Sequence, residues 1–149
     1  MNDVQIRMAS SPDEPVIYQF ICTLEETVLD RAAFQTIFAQ NLKNPTIHYF
    51  VAEKAGTIVG FISCHIQLLL HHTGCVGEIQ ELFVEPCMRK QGIGQQLVTE
   101  VKALAVRKNF VSLEVTTNRK RADAIGFYRR ALFELTHVKL VNPVVRMIK

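Results

Sequence analysis

The chain has 149 residues, 48% of them hydrophobic, and a net charge of +3. Those values fit one folded domain with a single core and exclude a disordered chain, and so small a charge excludes the dense basic face of a nucleic-acid binder. The longest apolar stretch, residues 61–70, is broken by Ser63, His65 and Gln67 and is too short to span a bilayer. Residues 1–15 are polar and lack the apolar centre of a signal peptide. A cytoplasmic protein with no membrane or nucleic-acid partner is therefore expected. Cys22, Cys64, Cys75 and Cys87 form no CxxC pair and read as reduced thiols, not as a disulfide framework or zinc site.

Residues 4–8 alternate enough for a first strand. Ser11-Pro12-Asp13-Glu14 reads as a helix start, with proline and acids in the first turn, followed by Val16, Ile17, Phe20, Ile21 and Leu24 at helical spacing. A second helix is expected near residues 31–41, with Ala33, Phe34, Ile37 and Phe38 on one side and Asn44-Pro45 ending it. Residues 49–53 and 57–70 read as two strands of a hairpin joined through Lys54-Ala55-Gly56. After the turn His71-His72-Thr73-Gly74, residues 77–85 form another strand, stopped by Pro86. Residues 92–108 form an amphipathic helix with Ile93, Leu97, Val98, Val101, Leu104 and Ala105 on one face. A strand over 110–117, a helix over 121–132 and strands over 133–140 and 144–148, around Asn142-Pro143, complete the chain. The order β-α-α-β-β-β-α-β-α-β-β predicts a single α/β domain over residues 1–149, a mixed central sheet with helices on its faces.

The segment Arg89-Lys90-Gln91-Gly92-Ile93-Gly94 lies between a strand and a helix. Glycines there let the backbone approach a ligand closely, and the free N–H groups and positive dipole end of the helix favour a phosphate. A nucleoside-triphosphate loop needs GxxxxGK[ST], whereas Gln95-Gln96 follows Gly94; a dinucleotide fingerprint needs a third glycine where Leu97 stands. A glycine turn that merely starts a helix is the plainer alternative.

Arg-x-x-Gly-x-Gly after a strand that ends in proline, followed by an amphipathic helix, resembles the pyrophosphate loop of the GNAT acetyltransferase superfamily. The downstream residues Leu113-Glu114-Val115, Asn118, Ala122, Phe127-Tyr128 and Phe133 are similar to that family's second half, although Leu132 stands where the family usually has glycine. The resemblance covers about residues 4–140 and implies a GNAT fold with acetyl-CoA as co-substrate. It implies that Arg89, Lys90, Gln91, Gly92, Ile93 and Gly94 hold the pyrophosphate. The backbone of Leu82, Phe83 and Val84 would pair with the pantetheine arm, and Asn118 would hold the coenzyme or cap its helix. Acetyl transfer needs the ammonium deprotonated and the departing thiolate protonated. By resemblance Glu78 is the general base, directly or through water, and Glu81 is the alternative base or an ammonium anchor. Strict alternation points the two acids to opposite faces; a bulge, which the family carries in this strand, would bring them together. Tyr128, also by resemblance, is the general acid, and a phenol with a pKa near ~10 is protonated at neutral pH. The apolar C-terminal strands, common docking elements in the family, suit a homodimer.

His65-Ile66-Gln67, His71-His72 and Gly77-Glu78-Ile79-Gln80-Glu81-Leu82 resemble the aminoalkylphosphonate N-acetyltransferase family. So do Asn41-Leu42, Tyr49, Thr117-Asn118, Lys120-Arg121, Asp123-Ala124 and His137. The implied acceptors carry an ammonium, which acids would hold, and a dianionic head, which His72, His65, Lys120 or Arg121 would hold. Arg119-Lys120-Arg121 reads more readily as a solvated helix start or a clamp on the coenzyme phosphates than as a phosphonate contact. His65, His72, Glu78 and Glu81 raise the question of a divalent metal, but no zinc spacing or helical His pair is present, and no metal site is assigned. Three alternatives stay open: a GNAT enzyme for another amine (polyamine, aminoglycoside or protein amine), a non-catalytic coenzyme A sensor, and an interaction module that keeps only the fold.

Overall fold

The computed structural model describes residues 3–118 and 121–144. Its Cα packing divides the chain into two compact units, residues 1–115 and residues 116–149.

The first unit is a five-stranded mixed sheet in the order β1-β2-β3-β4-β5. The strands are β1 (Val4–Met8), β2 (Ile47–Lys54), β3 (Thr57–Leu69), β4 (Gly74–Val84) and β5 (Ser112–Val115). Strands β1 to β4 pair antiparallel, and β5 joins β4 in parallel. The β2–β3 hairpin closes through Ala55 (φ 50°) and Gly56 (φ 79°), the two successive positive φ angles of the tight turn that matches strand twist. Helices α1 (Glu14–Glu25) and α2 (Arg31–Leu42) cover one face, where Ile17, Phe20, Ile21 and Phe38 pack on Val51, Phe61 and Phe83. Helix α3 (Ile93–Arg107) covers the other, with Leu97, Val98, Val101 and Leu104 buried. Cys64 is fully buried in β3, behaving as a small core hydrophobe, and burial pushes its thiol up to about 12.

The α1–α2 pair is held by charge as well as packing. Arg31 donates to both carboxylate oxygens of the buried Glu14, at 2.5 and 2.6 Å, and lies 4.6 Å over the Tyr18 ring. The Tyr18 hydroxyl donates to the Leu29 carbonyl at 2.6 Å, and Asp30 caps α2 by accepting from the Ala33 N–H at 2.8 Å.

The second unit carries α4 (Ala122–Arg130). Tyr128 is 8% exposed and its ring meets Phe133 edge-on at 5.6 Å. Leu132 takes φ 73°, so the turn expected to want glycine forms with leucine in the left-handed region.

The sequence reading differs from the structure at three points. Strand β4 begins at Gly74, ahead of the expected Gly77, because the ladder with β3 runs on to Leu69–Gly74 and closes over a single turn of 3-10 helix at Leu70–His72. Strand β5 is only four residues long, Ser112–Val115, against the expected 110–117. The strand expected over 133–140 is absent: Leu135, Val138 and Leu140 stand 66%, 87% and 91% exposed. Alternation defines two faces but supplies no ladder partner. Most of the strand expected over 144–148, together with Arg119 and Lys120, lies outside the described residues.

Candidate active site

The site in the first unit is organised by an irregularity in β4. Ile62 pairs with Leu82 but Cys64 pairs with Ile79, so Gln80 and Glu81 together oppose the single residue Ser63. This is a β-bulge, and an extra residue reverses the alternation beyond it. Glu78, opposite His65, and Glu81, opposite Ser63, therefore share the face covered by α1 and α2. Ser63 is the polar anchor of the bulge. It is fully buried, its hydroxyl donates to Glu81 Oε1, and the Glu81 N–H donates back to Ser63 Oγ at 3.0 Å.

The bulge also limits β5. Parallel pairing runs from Val76–Ser112 to Ile79–Val115 and stops where the bulge begins. A bulge locally disrupts the ladder in which it lies, and the pairing with β5 ends at Ile79, the residue before it. Among the described residues β4 then has no strand partner on that side over Gln80–Val84. Backbone groups on such an edge suit an extended ligand that adds like a strand.

A cleft of about 380 Å³ opens between the two helices and the sheet. Its walls are apolar, from Ile17 and Ile21 on α1 and Phe34, Ile37 and Phe38 on α2. Its polar lining is Glu25, Asn41, Tyr49, His65 and Glu81. Asn41 Nδ2 donates to the Tyr49 hydroxyl at 2.6 Å, and burial raises the Tyr49 phenol above its ordinary range, offset in part by Asn41.

One row crosses the sheet on this face: His65 pairs with Glu78, and Glu78 with Glu114. Glu114 Oε2 lies 3.3 Å from His72 Nε2 and accepts from the Ser112 hydroxyl at 3.1 Å. His72 is thus directed to β5. Among the described residues no group of three or more His, Cys, Asp or Glu side chains could hold a metal ion.

At the start of α3, Gly92 has φ 82°, no side chain caps the helix, and a Cβ on Gly92 would meet nothing within 4 Å. Lys90 is left-handed as well, φ 63°. The first turn of a 15-residue helix therefore presents N–H groups without a side-chain cap, beside exposed Arg89, Lys90 and Gln91, which fits a diphosphate group. Arg89 folds back: its Nε donates to the Val84 carbonyl at 2.9 Å, and its guanidinium lies 5.5 Å over the Phe83 ring. Ile93 is buried and anchors the loop to the core.

In the second unit, burial lifts the Tyr128 phenol well above the tyrosine range, with Arg121 pulling weakly the other way. The Asn118 carbonyl accepts from the Arg121 N–H at 2.8 Å, and the residue at the cap of α4 is Arg121. The structure thus brings Glu78, Glu81 and His65 onto one face of the first unit; Tyr128 and Asn118 belong to the second.

Sequence reasoning gave no site role to Ser63, Glu114 or the α1–α2 wall. Ser63 had a signal, a lone hydroxyl inside an apolar strand, whereas the partner of Glu114 depends on strand register.

The Acetyltransferase (GNAT) family profile matches residues 15–132. The chain is 42% identical over 140 residues to the aminoalkylphosphonate N-acetyltransferase of Salmonella typhimurium strain LT2, covering 94% of this chain and 91% of that one. Among solved structures, a transcriptional regulator from Bacillus halodurans C-125 superposes with a TM-score of 0.87 at 23% identity, covering 93% and 98% of the two chains. An aminoglycoside N-acetyltransferase in complex with CoA superposes at 0.84 and 18% identity, covering 93% of each. The five-stranded mixed sheet, the bulged β4 and the uncapped α3 thus accompany a match over most of the chain, and the protein belongs to the GNAT family of acetyltransferases.

Proposed function

We propose that the chain acetylates aminoalkylphosphonates on nitrogen, using acetyl-CoA. The observation that carries the mechanism is the β4 bulge, which puts Glu78 and Glu81 on the face that holds the cleft. The substrate class is supported by the 42% identity to an aminoalkylphosphonate N-acetyltransferase over nearly all of both chains. The whole of residues 1–149 acts as one N-acetyltransferase domain, since the family match runs across residue 115. The protein is cytoplasmic and homodimeric in this reading; no helix among the described residues is long and apolar enough to cross a membrane, and Val138 and Leu140 are exposed for contact.

Bound acetyl-CoA supplies the acetyl group as a thioester. The α3 N-terminus with Gly92, Ile93 and Gly94, flanked by Arg89, Lys90 and Gln91, would hold its diphosphate, and the β4 edge at Leu82, Phe83 and Val84 its pantetheine arm. Glu81, fixed by Ser63, anchors the acceptor's ammonium. Glu78 takes its proton directly or through one water, with Glu81 the alternative base. Tyr128 Oη, kept protonated by burial, donates to the departing thiolate, and Asn118 steadies the coenzyme side. His65 is the histidine we retain for the phosphonate, because His72 is engaged by Glu114. No metal is assigned.

Glu78→Gln and Tyr128→Phe test the roles. Glu78→Gln should lower kcat by about 10²–10⁴ near pH 7, and by less at high pH where the free amine is abundant. Tyr128→Phe should slow turnover while leaving coenzyme affinity nearly unchanged. Full Tyr128→Phe activity across the pH range would remove the general acid.

A further inference from the structure

Away from His65, the cleft differs in character from what a phosphonate requires. Its walls are aliphatic and aromatic, and its lining sets two carboxylates, Glu25 and Glu81, against one histidine, His65, with no Lys or Arg among the described lining residues. Such a lining attracts an ammonium along most of its length and offers a dianion His65 alone. Asn41 and Tyr49 already bond each other, so that stretch of wall makes little demand on a ligand. At about 380 Å³ the cleft falls in the roughly 300–1,000 Å³ range that encloses drug-sized ligands, well beyond a two-carbon acceptor.

We propose that the cleft receives the carbon chain of the acceptor, so that apolar primary amines bearing no phosphonate, alkylamines and arylalkylamines, are also substrates. This rests on the acetyltransferase reading above. The ammonium lies at Glu81 and the chain runs along Phe34, Ile37 and Phe38. The step is the same acyl transfer: the amine nitrogen bonds the acetyl carbon and the carbon–sulfur bond breaks. Of the two protons the ammonium gives up, one leaves through the carboxylate and the other ends on the coenzyme thiol.

The test is kcat/KM for n-propylamine, n-butylamine, n-pentylamine, n-hexylamine and 2-phenylethylamine, with aminomethylphosphonate in parallel. Thiol release is followed and the N-acetyl product confirmed by mass. Each buried methylene should raise kcat/KM about fourfold until the cleft is filled. Ile37 is 55% exposed at the cleft, so Ile37→Asp should fold, as a thermal melt would verify. It should cut the hexylamine-to-propylamine ratio by about tenfold, and Ile37→Ala should cut it less. A flat series, or an unchanged ratio in folded Ile37→Asp, overturns the inference. Turnover of aminomethylphosphonate with every apolar amine inert also overturns it but leaves the phosphonate reading standing. Turnover of hexylamine without aminomethylphosphonate does the reverse, and no turnover of any amine removes both.

Discussion

Replacing Ser63 with alanine removes one oxygen and breaks two bonds at the bulge. The hydroxyl donates to the Glu81 carboxylate and accepts from the Glu81 N–H at 3.0 Å, at a position with no solvent exposure. A backbone N–H left buried without a partner costs about 1–3 kcal/mol, and a hydrogen bond to a charged group contributes about 1.5–3 kcal/mol. Glu81 is half-buried and recovers part of its loss from water, so a total near 3 kcal/mol is expected. At about 2–4 °C per kcal/mol for a chain of this size, Tm should fall by about 6–12 °C. Below that temperature, kcat/KM for the amine should drop by about tenfold because the ammonium anchor is no longer fixed, while KM for acetyl-CoA holds. Calorimetry and thiol-release kinetics on the same preparations give both numbers. A Tm within about 1 °C of wild type, together with unchanged amine kinetics, would refute the idea that Ser63 holds the bulge and the bulge sets the site.

Two further outcomes follow from local geometry. Asp13 is buried, accepts from Arg7 Nη1 and Nη2 at 2.8 and 3.0 Å and from the Ser10 N–H at 2.8 Å, and the Arg7 guanidinium holds its carboxyl below the usual carboxylate range. That stabilisation is complete above the unfolded carboxylate value of ~3.9 and is lost as pH falls through the lower folded value. Asp13→Asn should therefore cost about 2 kcal/mol at neutral pH, after discounting for the partly exposed guanidinium, and the gap in urea midpoints should narrow as pH falls below the unfolded carboxylate value and through the lower folded one; a gap of constant size would exclude the linkage. Leu132 is left-handed at φ 73° and its side chain is 87% exposed, so Leu132→Gly should stabilise by about 1 kcal/mol, seen as a raised Tm; a lowered Tm would show that the leucine side chain contributes packing.

Helix α3 was readable because Ile93, Leu97, Val98, Val101 and Leu104 repeat at 3.6-residue spacing, and all five are buried. The β2–β3 hairpin was readable because Ala55-Gly56 is a two-residue loop that strand twist prefers. The family loop at Gly92 was readable because its glycine is needed: φ 82° is costly for any other residue. The bulge could be anticipated only through the family resemblance, since nothing in Glu78-Ile79-Gln80-Glu81 marks where two residues oppose one. The His72–Glu114 pair was hidden because it depends on the parallel register of β5, which long-range contacts fix. The failed strand over 133–140 shows the converse: Leu135, Val138 and Leu140 offer strand-like composition, but a strand exists only by pairing.

The central claim is acetyl transfer from acetyl-CoA to an aminoalkylphosphonate. It is tested most directly by mixing the purified chain with acetyl-CoA and aminomethylphosphonate, 1-aminoethylphosphonate or 2-aminoethylphosphonate, beside spermidine, kanamycin and a lysine peptide, each with EDTA or added divalent metal, and following thiol release. The account predicts turnover of the aminophosphonates above spermidine, kanamycin and the peptide, retained in EDTA. Turnover confined to spermidine, kanamycin or the peptide, or coenzyme binding with no acetyl transfer at all, would contradict it.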